Sequence, residues 1–157
     1  MDPEPPKTLH YKRSHFVTQL PIDFRYSLSH AWIARHDAEH WRIGLTKFAT
    51  RMLGDMVDHG FEMSVGDVVQ PGQIVGWLEG FKAISDLYCI GRGVFAGSNP
   101  ILKEKLTLVN KDCYGNGWLY LVKGEPDSKC MDVHAYRDVL DKTIDKILEQ
   151  QKGQEIK

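Results

Sequence analysis

Cysteine is scarce in this chain: Cys89, Cys113 and Cys130 are the only three in 157 residues, and no C-x-x-C spacing occurs. An odd count without close spacing argues against a disulfide scaffold and suits a reduced, cytoplasmic setting. A basic excess is also missing. The chain has 20 Lys and Arg against 21 Asp and Glu, a formal charge of -1. General nucleic-acid or membrane-surface binding is therefore not expected. No apolar run reaches membrane-spanning length and no signal-peptide pattern appears. The sequence holds no Walker A loop, no G-x-G-x-x-G, no H-E-x-x-H and no G-x-S-x-G. His36 and His40 have i,i+4 spacing, but across an expected turn rather than on a helix, so no metal site is expected. Nothing assembles a nucleophile with an acid and a base. What remains is a binding or carrier module, and 42% hydrophobic content is enough for it to bury a core of its own.

The prolines at positions 3, 5 and 6 oppose regular structure, and residues 1–25 read as an extension, a solvated arm lying along the domain. HAWIARHDAEHWRIGL, from His30 to Leu45, reads as two strands around the turn HDAE. In TKFATRMLG, Thr46 is a plausible N-cap, Phe48, Ala49, Met52 and Leu53 form one helical stripe, and Gly54 ends it. Period two then resumes, with Val57, His59, Phe61, Met63 and Val65 on one side. A lone histidine on an apolar stripe is more often a hydrogen-bonded structural residue than a ligand. KLTLVN and GWLYLVKG are further strand candidates around the glycine turn DCYGNG. In the tail, Val133, Tyr136, Leu140, Ile144 and Ile147 recur at helical spacing, so residues 125–151 should hold a helix packed on the domain, with residues 152–157 frayed.

The most informative stretch is IVGWLEGFKAISDLYCI, Ile74 to Ile90. Two short runs, apolar on both faces as sandwich strands are, flank Gly80 to Ala83 and predict a β-hairpin with Lys82 at or beside its tip. A lysine meant only for solubility would sit among other charges; this one is displayed. Lipoyl and biotinyl domains present their lysine this way. The neighbours Phe81 and Ala83 replace the methionines that usually bracket a biotinyl lysine. Gly66 and Gly93, sixteen residues before and eleven after, match the glycines that often flank a lipoyl lysine.

Over Tyr26 to Gly124 the chain resembles the H protein of the glycine cleavage system. The residues carrying the likeness are YSLSHAW (Tyr26 to Trp32), IGLT and MLGD (Ile43 to Thr46, Met52 to Asp55), EGFKAISDLY (Glu79 to Tyr88) and LVNKDCYGNGWL (Leu108 to Leu119). This implies a mostly β barrel-sandwich hybrid spanning residues 26–124, with a short internal helix and a C-terminal helix. It also implies lipoate joined covalently to Lys82 by a lipoate ligase, and a swinging arm in place of catalysis. Glu79 and Asp86, with Gly66 and Gly93, become candidates for ligase recognition or arm contact, although the two acids also suit a plain solvated surface. Ser29, His30, Ala31, His59 and Cys89 become candidates for the arm's cleft; Cys89 reads equally as a buried strand residue.

Four departures bear on the cargo. Ala31 stands where the family has the glutamate that helps hold a charged aminomethyl group. Cys113 replaces a proline, Gly80 replaces a serine, and VDHGFE replaces F-V-E-L-P. The first favours a sulfur client, as in the related lipoate-binding proteins of the heterodisulfide-reductase-like sulfur-oxidation pathway. The expected partners are then redox or sulfur-transfer enzymes. The alternative is the glycine cleavage enzymes, with dihydrolipoamide dehydrogenase a candidate in both settings; a third reading is an unlipoylated interaction module. A monomer is expected.

Overall fold

A computed structural model describes residues 6–156. The irregularity expected at Pro3 and Pro5, and the last residue of the expected frayed tail, lie outside the described residues. Strands β1 (Thr8–Arg13), β2 (Phe16–Pro21), β3 (Arg25–Tyr26), β4 (Ala31–Arg35) and β5 (His40–Leu45) lead into helix α1 (Lys47–Leu53). Next come β6 (Met56–Phe61), β7 (Val68–Val69), β8 (Ile74–Gly80), β9 (Ile84–Tyr88) and β10 (Gly91–Ser98). A 3₁₀ turn (Pro100–Lys103), α2 (Leu108–Lys111), β11 (Tyr120–Pro126) and α3 (Val133–Ile156) complete the chain.

The strands form a six-stranded sheet, β3-β4-β5-β11-β10-β7, and a three-stranded sheet, β6-β8-β9, with β1-β2 a separate hairpin. Alternation along β4 explains the layering. Ala31 and Ile33 enter the core between the two larger sheets, with Val75, Leu78, Leu87 and Val122. Trp32 and Ala34 point the other way, into a second core with Tyr26, Tyr136, Leu140 and Ile144. A two-sided strand of this kind needs apolar residues at every position, which is what AWIA supplies. This is the mostly β sandwich with an internal helix and a C-terminal helix that the sequence predicts, and α2 is a second, short internal helix beside them.

The N-terminal segment differs from the solvated arm expected of it. β1 and β2 pair in register from Thr8↔Pro21 to Arg13↔Phe16. Tyr11 and Leu20 are buried in the second core. The Tyr11 hydroxyl donates to Asp141 (2.7 Å) and the Arg13 guanidinium donates twice to Asp145 (2.9 and 2.7 Å), clasping the hairpin to α3. The alternation of Leu9, Tyr11, Thr18 and Leu20 is the buried face that the basic residues around it obscure.

Lys105 to Asn110 is not a strand. Leu108 and Val109 donate to Lys105 and Leu106 three residues back, and the segment closes as α2. A short apolar run fits either period, and here the buried Val109 sets a helical turn. The stripe from Val57 to Val65 is also broken. A bulge between Met56 and Asp58 shifts the register, and Val57 and Val65 are exposed. β9 is an edge strand with only Leu87 buried, so it is not apolar-packed on both faces as expected. β11 runs past Gly124 to Pro126, and α3 begins only at Val133 and is helical to Ile156.

Candidate functional site

β8 and β9 form the hairpin that carries Lys82, its turn closed by the Gly80 N–H donating to the Ala83 carbonyl (2.8 Å). The turn is fastened from beneath. The Lys82 N–H donates to the carbonyl of Leu53 and the Phe81 N–H to that of Asp55, both at 2.8 Å. These acceptors flank Gly54, which ends α1 with φ +80°. Asn110 holds the same corner: its Nδ2 donates to the Gly54 carbonyl (3.0 Å) and its Oδ1 accepts from the Met56 N–H (2.9 Å). Two glycines allow the approach. A Cβ on Gly54 would meet Lys82 Cγ at 3.0 Å, and one on Gly80 would sit 2.6 Å from the Leu53 carbonyl carbon.

The lysine backbone is thus pinned while its side chain is exposed, and among the described residues Lys82 makes no ion pair. An apolar collar surrounds it: Phe81 is 86% and Ile84 67% exposed, with Val57 beside them. Glu79, half-buried at the end of β8, lines the same hollow.

A cleft of about 300 Å³ opens between β9 and α1. Ala31, Leu45, Ala49, Met52, Leu87 and Tyr88 make its wall predominantly apolar, and Asp86 is the only acidic residue lining it among the described residues. Ser29 and His30 form one edge. His30 has φ +65° and shares a 2.8 Å hydrogen bond with the Tyr136 hydroxyl, which in turn meets Thr46 Oγ1 at 2.9 Å. Burial pushes the imidazole down to about 4, so it is neutral near pH 7 and ties the cleft to α3 as an uncharged hydrogen-bonding group.

The remaining candidates lie away from the Lys82 turn. His59 sits on β6 opposite Leu78, its ring 6.3 Å from that of Phe61, and lines neither the cleft nor the hollow around Lys82. Cys89 is 1% exposed, its thiol donates to the Gly91 carbonyl (3.2 Å), and burial pushes its pKa up. It lines a different hollow, with Cys130 and Ser27. Gly66 (φ +99°) makes a turn whose N–H reaches the Phe95 carbonyl. Gly93 (φ +144°) sits where a side chain would run into the Lys123 backbone. His40 pairs with Asp37 (2.8 Å), and no cluster of three metal-ligating side chains occurs among the described residues. Asn110, Met52, Tyr88 and the Phe81–Ile84 collar were not expected from sequence to belong to the site; only the LVN motif hinted at the first.

Comparison with known proteins places this arrangement. The glycine cleavage H-protein family model matches residues 24–144. The chain belongs to that family. Glycine cleavage system H protein of Corynebacterium jeikeium is 37% identical over 124 residues, covering 77% of this chain and 97% of that protein. The protein of the same name from Shewanella denitrificans is 33% identical over 128 residues, covering 80% and 98%. The crystal structure of a glycine cleavage system H protein from Mycobacterium marinum superimposes with a TM-score of 0.67 at 30% identity, over 74% of this chain and 95% of that one. H proteins are non-catalytic carriers that bear lipoate covalently on a lysine. The fold is accordingly the barrel-sandwich hybrid of this family. The match begins at residue 24, so the β1–β2 hairpin lies outside it.

Proposed function

We propose that Lys82 is the lipoyl attachment site and that the chain serves glycine cleavage, presenting one arm in turn to the decarboxylase, the aminomethyl-transferring enzyme and dihydrolipoamide dehydrogenase. The observation that carries this is the combination of a backbone fastened at Lys82 with an exposed amine that makes no ion pair among the described residues. Acylation removes the lysine charge without breaking an ion pair, and a rigid turn loses little order when an enzyme grips it. Lipoate, once attached, supplies a disulfide/dithiol couple for group capture and redox exchange.

The residues present suit that group. The apolar wall of Ala49, Met52, Leu87 and Tyr88 offers a dry surface for an aliphatic arm, and Asp86 offers a carboxylate for an amine at the mouth. The chain itself tethers, orients and excludes water, holding the arm near each partner at an effective concentration on the order of millimolar. Residues 26–124 would form the lipoyl-bearing unit, with the N-terminal hairpin and α3 clasping its outer face. No helix among the described residues is long and apolar enough to cross a membrane. Three free buried cysteines suit a reducing cytoplasm.

A second reading, sulfur transfer, keeps one specific observation. Ala31 is a buried methyl on the cleft wall and cannot hold a cationic cargo. The comparisons favour glycine cleavage, and reconstitution decides between them. Lipoylated chain mixed with glycine decarboxylase and the aminomethyl-transferring enzyme should support glycine-dependent turnover. A fully lipoylated chain that is reduced by dihydrolipoamide dehydrogenase yet gives no turnover would overturn the glycine role and leave sulfur transfer.

A further inference from the structure

The Lys82 hairpin has two unlike flanks. One is the apolar cleft with Asp86. On the other, an open groove of about 310 Å³ is lined by Lys47, Arg51, Asp55, Asn110 and Lys82, among others. Lys47 and Asn110 also line its continuation of about 280 Å³, which reaches Lys111, Asp112 and the Val17–Gln19 segment of β2.

The groove holds more cations than acids: Lys47, Arg51, Lys82 and Lys111 against Asp55 and Asp112. Among the described residues, Lys47, Arg51 and Lys111 make no ion pair. The Lys47 ammonium donates to a neutral acceptor, the Asn110 carbonyl (3.2 Å). The Arg51 guanidinium makes no hydrogen bond among the described residues and lies 6.0 Å from the ring centroid of Phe16. Of the two acids, Asp112 is already accepting from the Asn116 N–H (2.8 Å). A cationic groove on a chain whose formal charge is -1 is a local feature.

We propose that this groove docks an acidic segment of the enzyme that acylates Lys82. The proposal rests on Lys82 being the attachment lysine. Charge complementarity selects the occupant's sign, and geometry selects the enzyme. Enzymes that act on the arm's far end meet the chain wherever the arm reaches. The acylating enzyme must bring its active site to the lysine amine itself, so its footprint covers the groove that Lys82 lines. After acylation Lys82 loses its charge and the groove weakens, which favours release of the product. Two acids in the groove, Asp55 and Asp112, and a chain without basic excess make it a poor nucleic-acid surface. β2 supplies the far wall, and Phe16 backs Arg51, which gives the hairpin outside the family match a part in docking.

The test is acyl transfer to the full chain by the lipoate ligase of its own organism, at about 20 mM and about 200 mM salt, where screening lengths differ roughly threefold. Arg51→Glu should lower kcat/KM about tenfold at low salt, through KM, and flatten its salt dependence, whereas Arg51→Lys should behave as the parent. Equal kcat/KM for parent and Arg51→Glu would overturn the docking proposal and leave the carrier reading standing. Salt-dependent binding to vesicles of anionic phospholipid, with acylation indifferent to Arg51→Glu, would overturn it in favour of a membrane. Failure of the parent chain to accept lipoate at Lys82 would remove both.

Discussion

Gly80→Ser tests the way Lys82 is presented, because serine is the residue that H proteins carry here and a family-like substitution ordinarily stabilises. In this chain it should do the opposite. A Cβ at position 80 would lie 2.6 Å from the Leu53 carbonyl carbon and 2.9 Å from Leu53 Cβ, and would overlap the Leu53 carbonyl oxygen. Two of these obstacles are backbone atoms, so no rotamer change relieves them. The hairpin must lift off the end of α1, which strains the Lys82-to-Leu53 and Phe81-to-Asp55 hydrogen bonds. Overpacking costs about 1–3 kcal/mol. The two hydrogen bonds add about 1 kcal/mol each at most, less where water replaces them. A loss of about 1–5 kcal/mol follows, and with a urea m-value of about 2 kcal/mol/M the midpoint should fall by about 0.5–2.5 M. Equilibrium urea unfolding followed by tryptophan fluorescence measures it. Gly153→Ser, where an added Cβ meets nothing, is the control and should be nearly neutral. A Gly80→Ser midpoint within about 0.25 M of the parent, given that m-value, together with unchanged lipoate acceptance, would refute the argument.

Two further outcomes are expected. His30 is held at about 4 by burial, against an ordinary 6.5, so the unfolded chain binds its proton first. The stability that the neutral ring contributes is whole above pH 6.5 and declines as pH falls toward 4, by up to about 1.4 kcal/mol per pH unit. His30→Asn, which tolerates the positive φ, should flatten the pH 4–6.5 limb of a urea-midpoint profile; an unchanged slope would assign the decline to other groups. The thiols of Cys113 and Cys130, pushed up by burial to about 12 and about 11, and that of the buried Cys89 should resist an aromatic disulfide reagent in the native state and all react in denaturant. Rapid native labelling of Cys89 would make direct exchange with a lipoyl arm feasible.

The Lys82 hairpin, the α1 caps and the two-sided strand β4 were legible because each is written in adjacent residues. Thr46 and Gly54 bracket α1 as their chemistry demands: Thr46 accepts from the Ala49 N–H, and Gly54 takes the positive φ. The N-terminal hairpin was not legible, since its pairing pattern is short and its charged residues find their partners on α3, some 130 residues away. β9 looked like an interior strand because Ile84, Leu87 and Tyr88 are apolar. Two of the three are exposed, facing the collar and the cleft rim rather than a core.

Local order decided that a lysine would stand at the turn of a tight hairpin, because strand alternation, glycine placement and helix capping are short-range properties of the backbone. Only the folded chain decided what surrounds that lysine. Asn110 reaches back across more than fifty residues to fasten the corner beneath it. α1 sets an apolar cleft against β9 on one side and, with Asn110 of α2, a groove of cations without an ion pair among the described residues on the other. Such neighbourhoods arise from packing between distant elements, and no window along the sequence contains both partners.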